Sequence, residues 1–145
     1  MNRQRHARAE RLLQGLEANG YKVTEQRMAV CEALITHGGH PNAAEVYTIL
    51  HERHPSISLA TVYNTLTTLE QLGLLQAMPL ATEEHTRYDL DLKPHINIVC
   101  QRCSAIVDAY SSELVPLLSS VARSAGTTFE SANVVVYGRC GGCAG

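Results

Sequence analysis

The chain has 145 residues, of which 45 % are hydrophobic and 18 % charged, with a formal net charge of −2. That composition is one of a soluble globular protein with room for one domain or two small ones, and no apolar run approaches the roughly 20 residues of a membrane span. The near-neutral charge excludes a protein that coats nucleic acid by bulk electrostatics. It still allows localised DNA reading, because residues 1–80 hold 7 Lys/Arg against 7 Asp/Glu while residues 81–145 hold 5 against 7. The arginine-rich start (Arg3, Arg5, Arg8, Arg11) is followed by no apolar export segment, so a cytoplasmic location is expected.

In chain order, Leu12, Leu13 and Leu16 predict a first helix over residues 8–19, stopped by Asn19-Gly20. Thr24 as N-cap, Glu25 in the first turn and a stripe of Met28, Cys31, Leu34 and Ile35 predict a second, broken by His37-Gly38-Gly39. Cys31 falls on that stripe and reads as a buried core thiol. Asn42 with Glu45 three residues on is a capping box for a third helix that carries Val46, Ile49 and Leu50 and stops before His54-Pro55. Ser58 caps a fourth. There Leu59, Val62, Leu66, Leu69 and Leu72 form the core stripe, Gly73 closes the helix, and Ala60, Tyr63, Asn64, Thr67 and Thr68 make an uncharged opposite face.

Leu74–Met78 and Arg87–Leu90 read as two short strands around a polar loop, a β-wing. Helices with a wing make a winged helix-turn-helix, whose recognition helix enters the major groove. Near Pro94 the period changes. His95–Val99, Ala105–Asp108 and Val134–Tyr137 read as strands, and residues 112–125, with Leu114, Leu117, Leu118 and Val121, as a helix ended by Gly126. The predicted class is α+β: a winged-helix domain over 1–84, a hinge over 85–94, and a small α/β dimerisation and metal-binding domain over 95–145.

Four of the five cysteines form two C-x-x-C pairs, Cys100/Cys103 and Cys140/Cys143, with 36 residues between the pairs. Each pair brings two thiolates to one ion, and two pairs complete a tetrahedral zinc shell; two redox-active C-x-x-C motifs would need a thioredoxin-like βα context that neither pair has. A closed shell of four thiolates has no open position for substrate, so the zinc reads as structural and the chain as a non-enzyme. His95 and Asn97, two apart on one strand, share a face. Asp108 sits in an otherwise apolar strand, where a carboxylate is costly unless paired, and Asp89 ends the wing. Two carboxylates, an imidazole and an amide suit Mn(II), Fe(II) or Zn(II) better than a soft metal.

These residues together resemble the ferric uptake regulator family, most closely its peroxide-sensing branch. The resemblance rests on Ser58-Leu59-Ala60-Thr61-Val62-Tyr63-Asn64-Thr65-Leu66, Leu72-Gly73-Leu74-Leu75, His40-Pro41, Arg87-Tyr88-Asp89, His95-x-Asn97-x-x-Cys100-x-x-Cys103 and Tyr137-Gly138-x-Cys140-x-x-Cys143, in family order. It implies a homodimeric repressor that binds a double-stranded, inverted-repeat operator when Fe(II) or Mn(II) occupies a regulatory site. That site maps onto His40, Asp89, His95, Asn97 and Asp108. The chain departs from the pattern at Asn97, where the family usually has histidine. Aspartate at 89 and 108, and Asn64, resemble the peroxide branch, implying loss of the operator through metal-catalysed histidine oxidation. The alternative is a sensor of iron, manganese or zinc supply. Candidate DNA contacts are Ser58, Ala60, Thr61, Tyr63, Asn64 and Thr67; with Asn64 suited to adenine and Ala60 or Thr67 to thymine methyls, an A·T-rich site is expected.

Overall fold

In the computed structural model, which describes residues 3–144, helices begin where a short polar side chain satisfies their first free N–H groups. Helix α2 (Glu25–His37) starts at Thr24, whose hydroxyl accepts the Arg27 N–H at 3.2 Å. Helix α3 (Ala43–His51) has the full capping box: Asn42 Oδ1 accepts from Glu45 N at 2.8 Å, and Glu45 Oε1 from Asn42 N at 3.3 Å. Helix α4 (Leu59–Gln71) starts at Ser58, which accepts from Thr61 N at 3.2 Å. Gly38, at φ 71°, ends α2 in the left-handed conformation that favours glycine. Helix α1 (Arg3–Ala18) starts earlier than apolar spacing predicts, because its first residues are helix formers that bury nothing and so leave no periodic signal.

The chain divides into two compact units, Met1–Leu92 and Lys93–Gly145. In the first, α2 packs against α1, α3 and α4. Its buried set is consequently wider than one stripe: Ala29, Val30, Cys31, Ala33, Leu34 and Ile35 are covered, whereas Met28, expected inside, is 39 % exposed. In α4, Val62, Leu66 and Leu69 are fully buried, but Leu59 is 40 % exposed at the start of the helix. Buried Thr65 joins the packed face because its hydroxyl is satisfied by the Thr61 carbonyl at 2.9 Å. Strands β1 (Gln76–Met78) and β2 (Arg87–Asp89) pair antiparallel, Gln76 opposite Asp89 and Met78 opposite Arg87. The wing is laced to the start of α3, since Tyr88 N–H donates to the Pro41 carbonyl at 2.9 Å and Arg87 bridges Asn42. Arg11, one of the four N-terminal arginines, donates to the Leu90 carbonyl at 2.8 Å, so its guanidinium is a strut inside this unit.

The second unit is a three-stranded sheet in the order β4-β3-β5, with β3 Ile96–Cys100, β4 Ile106–Ala109 and β5 Val134–Gly138. β4 runs antiparallel to β3, and β5 returns parallel to it by way of α5 (Leu114–Ser124), the long crossover that a parallel pair requires. α5 departs from the expected buried stripe: Leu114 is covered, but Leu117 is 60 % and Val121 57 % exposed. The outward face of the sheet is apolar too, with Val107, Ile98 and Val136 side by side in register at 58 %, 38 % and 46 % exposure. None of the helices among the described residues is long and apolar enough to cross a membrane.

Candidate metal centres and nucleic-acid interface

Two tight turns build the cysteine cluster. At the end of β3 the chain folds back through Cys100–Ala105, with Ser104 N–H donating to the Cys100 carbonyl and Cys100 N–H to the Ala105 carbonyl, both at 2.9 Å. Ser104 takes the left-handed conformation, φ 61°, that this reversal demands. Gln101 N–H reaches the Gly138 carbonyl at 2.8 Å, which brings the end of β5 alongside and carries Cys140 and Cys143 to the same spot. All four sulfurs lie within 4.8 Å of one another. Cys103 and Cys140 are 3.7 Å apart, far outside the ~2.05 Å of a disulfide, and all five cysteines are free. A tetrahedron with Zn–S bonds of ~2.3 Å has S···S edges of about 3.8 Å, so the Cys103–Cys140 separation already matches one edge and the other sulfurs lie close to that range. Their proton affinities fit one shared charge site. The Cys100 thiol is pulled down to about 6, first by the Cys140 backbone N–H and then by those of Cys103 and Arg102. Cys143 is pushed up to about 12 by hydrogen bonding to Cys140 and Cys103, by desolvation and by the nearby Cys100 sulfur.

The nitrogen and oxygen donors are arranged within each unit. In the first, Pro41 and Tyr88 link the loop before α3 to β2, and this sets His40 Nε2 3.5 Å from Asp89 Oδ2. Both side chains are largely covered, at 12 % and 5 % exposure, and Asp89 Oδ1 also accepts the Asp91 N–H at 2.8 Å. In the second, the His95 Nδ1 lies 2.6 Å from the Lys93 carbonyl. A carbonyl only accepts, so Nδ1 carries a proton, and in the neutral ring Nε2 is the nitrogen left with a lone pair, the tautomer a metal ligand needs. That Nε2 is 3.8 Å from Asp108 Oδ1, and the Tyr110 ring stacks on the imidazole at 5.5 Å.

Asn97 lies directly opposite Asp108 in register and is 1 % exposed, yet its Oδ1 has no hydrogen-bond partner among the described residues. An unsatisfied buried amide oxygen costs about 1–3 kcal/mol, a deficit that a cation would remove. The polar side of this strand is therefore the buried one and Ile98 is exposed, the reverse of an ordinary core strand. Asp108 is less enclosed than an apolar strand suggests: its side chain retains 31 % exposure.

On α4, Ala60, Tyr63, Asn64 and Thr67 are exposed, Tyr63 by 41 %. Ser58 and Thr61 are engaged locally, their hydroxyls 3.1 Å apart and Ser58 capping the helix. Asn64 and Thr61 also line a recess of about 280 Å³ with Thr24, Gln26, Arg27, Thr65 and Thr68. Sequence pattern does not single out Gln26 and Arg27, since the first turn of α2 and the face of α4 meet only in three dimensions. The cap at Thr24, which fixes where that turn begins, is the one sequence signal that leads to them.

A winged-helix unit followed by a sheet unit with a four-thiol cluster defines a class of metal-binding, helix-turn-helix protein. The ferric uptake regulator family profile matches residues 18–137, and the chain belongs to that family. It is 30 % identical over 128 residues to the peroxide-responsive repressor PerR of Staphylococcus saprophyticus, covering 88 % of this chain and 86 % of that one. Among solved structures it is similar to the Campylobacter jejuni peroxide stress regulator, with 33 % identity, a TM-score of 0.73, and coverage of 90 % of this chain and 98 % of that one. The ferric uptake regulator of Helicobacter pylori shares the fold, with a TM-score of 0.77 at 23 % identity over 96 % of this chain and 93 % of that one.

Proposed function

We propose that this chain is a metal-dependent, DNA-binding repressor of the ferric uptake regulator family that responds to peroxide. Cys100, Cys103, Cys140 and Cys143 hold a structural Zn2+. The regulatory ligands are His40, Asp89, His95, Asn97 and Asp108, and the ion is Fe2+ or Mn2+. The observation that carries the reading is that each unit, taken by itself, presents ready donors: His40 beside Asp89 in one, and in the other His95 Nε2 3.8 Å from Asp108 together with a buried Asn97 oxygen that lacks a donor.

In this reading the occupied site favours the DNA-competent arrangement of the two units, so that metal affinity and operator affinity are linked and each raises the other by the same factor. The chain acts as a homodimer on an inverted repeat. Support comes from the apolar row Val107–Ile98–Val136 and from Leu117 and Val121, surfaces that a monomer leaves in water. Asn64 pairs with adenine, Ala60 and Thr67 touch thymine methyls, and Ser58, Thr61 and Tyr63 contact the backbone or flanking bases, giving an A·T-rich operator. Fe2+ would supply the electron that activates peroxide beside a ligating histidine. Oxidation of the His40 or His95 ring then removes a donor, and the operator is released. Nothing in this mechanism calls for turnover of a substrate.

A second reading, a sensor of iron, manganese or zinc supply, is favoured by Asn97, since an amide oxygen is a weaker ligand for Fe2+ than the imidazole the family usually has there. Peptide mass spectrometry on zinc-loaded protein given Fe2+ and then a small excess of peroxide separates the two. Peroxide sensing gives one added oxygen on the peptides holding His40 or His95, absent with Mn2+ in place of Fe2+. Unmodified histidines in a protein that still binds Fe2+ would establish the supply sensor instead.

A further inference from the structure

The first unit contains a charged cluster that none of the proposed ligand or DNA roles uses. Its centre is Arg87 on β2, whose side chain is 20 % exposed. Nε donates to Glu83 Oε2 at 2.7 Å and Nη2 to Glu83 Oε1 at 2.8 Å, a two-pronged contact within the wing. Nη1 donates to Glu45 Oε1 in the first turn of α3 at 2.7 Å, and to the main-chain carbonyl of His40 at 3.1 Å. Glu45 is held in turn by the Asn42 N–H at 3.3 Å and by His37 Nε2 at 3.0 Å at the end of α2. One guanidinium thus joins the wing, the start of α3 and the loop that carries His40, and it is two residues from Asp89.

We propose that Arg87 is a positioning residue for the regulatory metal: through the His40 carbonyl, Glu45 and Glu83 it fixes the loop and the strand from which His40 and Asp89 project. The proposal rests on the reading of His40 and Asp89 as regulatory ligands. The physical argument is one of preorganisation. His40 lies in the short irregular stretch between α2 and α3, tied to β2 through the backbone by the Tyr88–Pro41 hydrogen bond and the Asn42–Arg87 bridge, and Asp89 closes a three-residue strand. Without the Arg87 fork these backbone ties act alone, and both ligands would lose more backbone and side-chain freedom at the moment of metal binding. With Arg87 in place that freedom is lost when the protein folds, and the ion then meets two donors already 3.5 Å apart. The planar guanidinium serves these acceptors in fixed, coplanar directions, with two prongs on Glu83. Lysine at this position keeps the charge and loses the fork.

The test compares zinc-loaded wild type, Arg87→Lys, Glu83→Gln and His40→Ala. The readouts are Mn(II) affinity, the visible d–d spectrum of Co(II) added as a probe of the regulatory ligands, zinc content and thermal midpoint. Arg87→Lys is expected to weaken Mn(II) binding by about 10- to 100-fold, the range for loss of a residue that orients a ligand, and to shift the Co(II) bands towards those of His40→Ala, with zinc retained. Glu83→Gln, which preserves part of the contact, shifts both in the same direction by less. A merely structural role would lower the thermal midpoint and leave the Co(II) bands of the folded protein unchanged. Wild-type affinity and spectrum in folded Arg87→Lys, with both lost in His40→Ala, overturn the role of Arg87 alone. If His40→Ala also keeps both, the regulatory assignment falls and this inference falls with it. Should Arg87→Lys not fold, Glu83→Gln decides by the same comparison.

Discussion

Cys31 shows how much the environment of one side chain decides. It is 1 % exposed in the core of the first unit, and burial first, with Glu32 second, pushes its thiol from 9.0 up to about 12. The thiolate is the reactive form, so in the native protein Cys31 should resist iodoacetamide and react only after denaturation; labelling of the folded protein at about pH 8, read by peptide mass spectrometry, checks this. The raised value also fixes a sign. A thiol held protonated by folding contributes stability that is complete below its unfolded value near 9.0 and is lost as pH climbs towards about 12. Cys31→Ala should therefore lose less stability than wild type between about pH 8 and about pH 11 in urea unfolding. A parallel decline in the two proteins would mean that other groups set the alkaline limit. Asn97 is the opposite case: a polar side chain buried with its oxygen unsatisfied among the described residues, a cost that a bound ion or an ordered water would remove.

At the scale of elements, the helix starts were legible because capping is local chemistry. Thr24, Asn42 and Ser58 each accept the N–H three residues on, and the spacing alone announces it. Helix α4 is where element and function meet. Its buried side needs Val62, Leu66 and Leu69, which leaves Ala60, Tyr63, Asn64 and Thr67 free to face a partner. Asn64→Ala is expected to leave the thermal midpoint nearly unchanged, because the side chain is exposed, and to weaken binding to an A·T-rich inverted repeat by about 1–3 kcal/mol. Fluorescence anisotropy against that operator and a G·C-substituted one tests it: an equal loss on both would make Asn64 a backbone contact. Strand β3 was only half legible. Alternation sorted His95 and Asn97 from Ile96 and Ile98, but alternation cannot say which side faces inward, and here the polar side does.

The molecule as a whole depends on long-range closure. Among the described residues of the second unit the buried apolar ones are Val99, Cys100 and Leu114, too small a core to be self-sufficient on hydrophobic burial. Its strand ends meet at the four cysteines, so a zinc ion held there would supply folding energy. Cys140→Ser, or prolonged chelation, should unfold this unit and abolish dimerisation while the helices of the first persist; far-UV circular dichroism with sedimentation velocity would show a partial loss of ellipticity and a monomer. A zinc-free protein that stays dimeric would place the stability of the unit elsewhere.

The sequence by itself determined the starts of α2, α3 and α4, the class of each unit, the two C-x-x-C turns and the family, because caps, periodicity and ligand spacing act over a few residues. Only the tertiary structure decided that Met28 and Leu59 face outward, that α5 leaves Leu117 and Val121 uncovered, that Gln26 and Arg27 share a recess with Asn64, and that Arg87 gathers Glu45, Glu83 and the His40 carbonyl. Those outcomes depend on which elements pack together. Apart from Glu83, four residues from Arg87, the partners lie dozens of residues away in the chain, and no local pattern says which of them will meet.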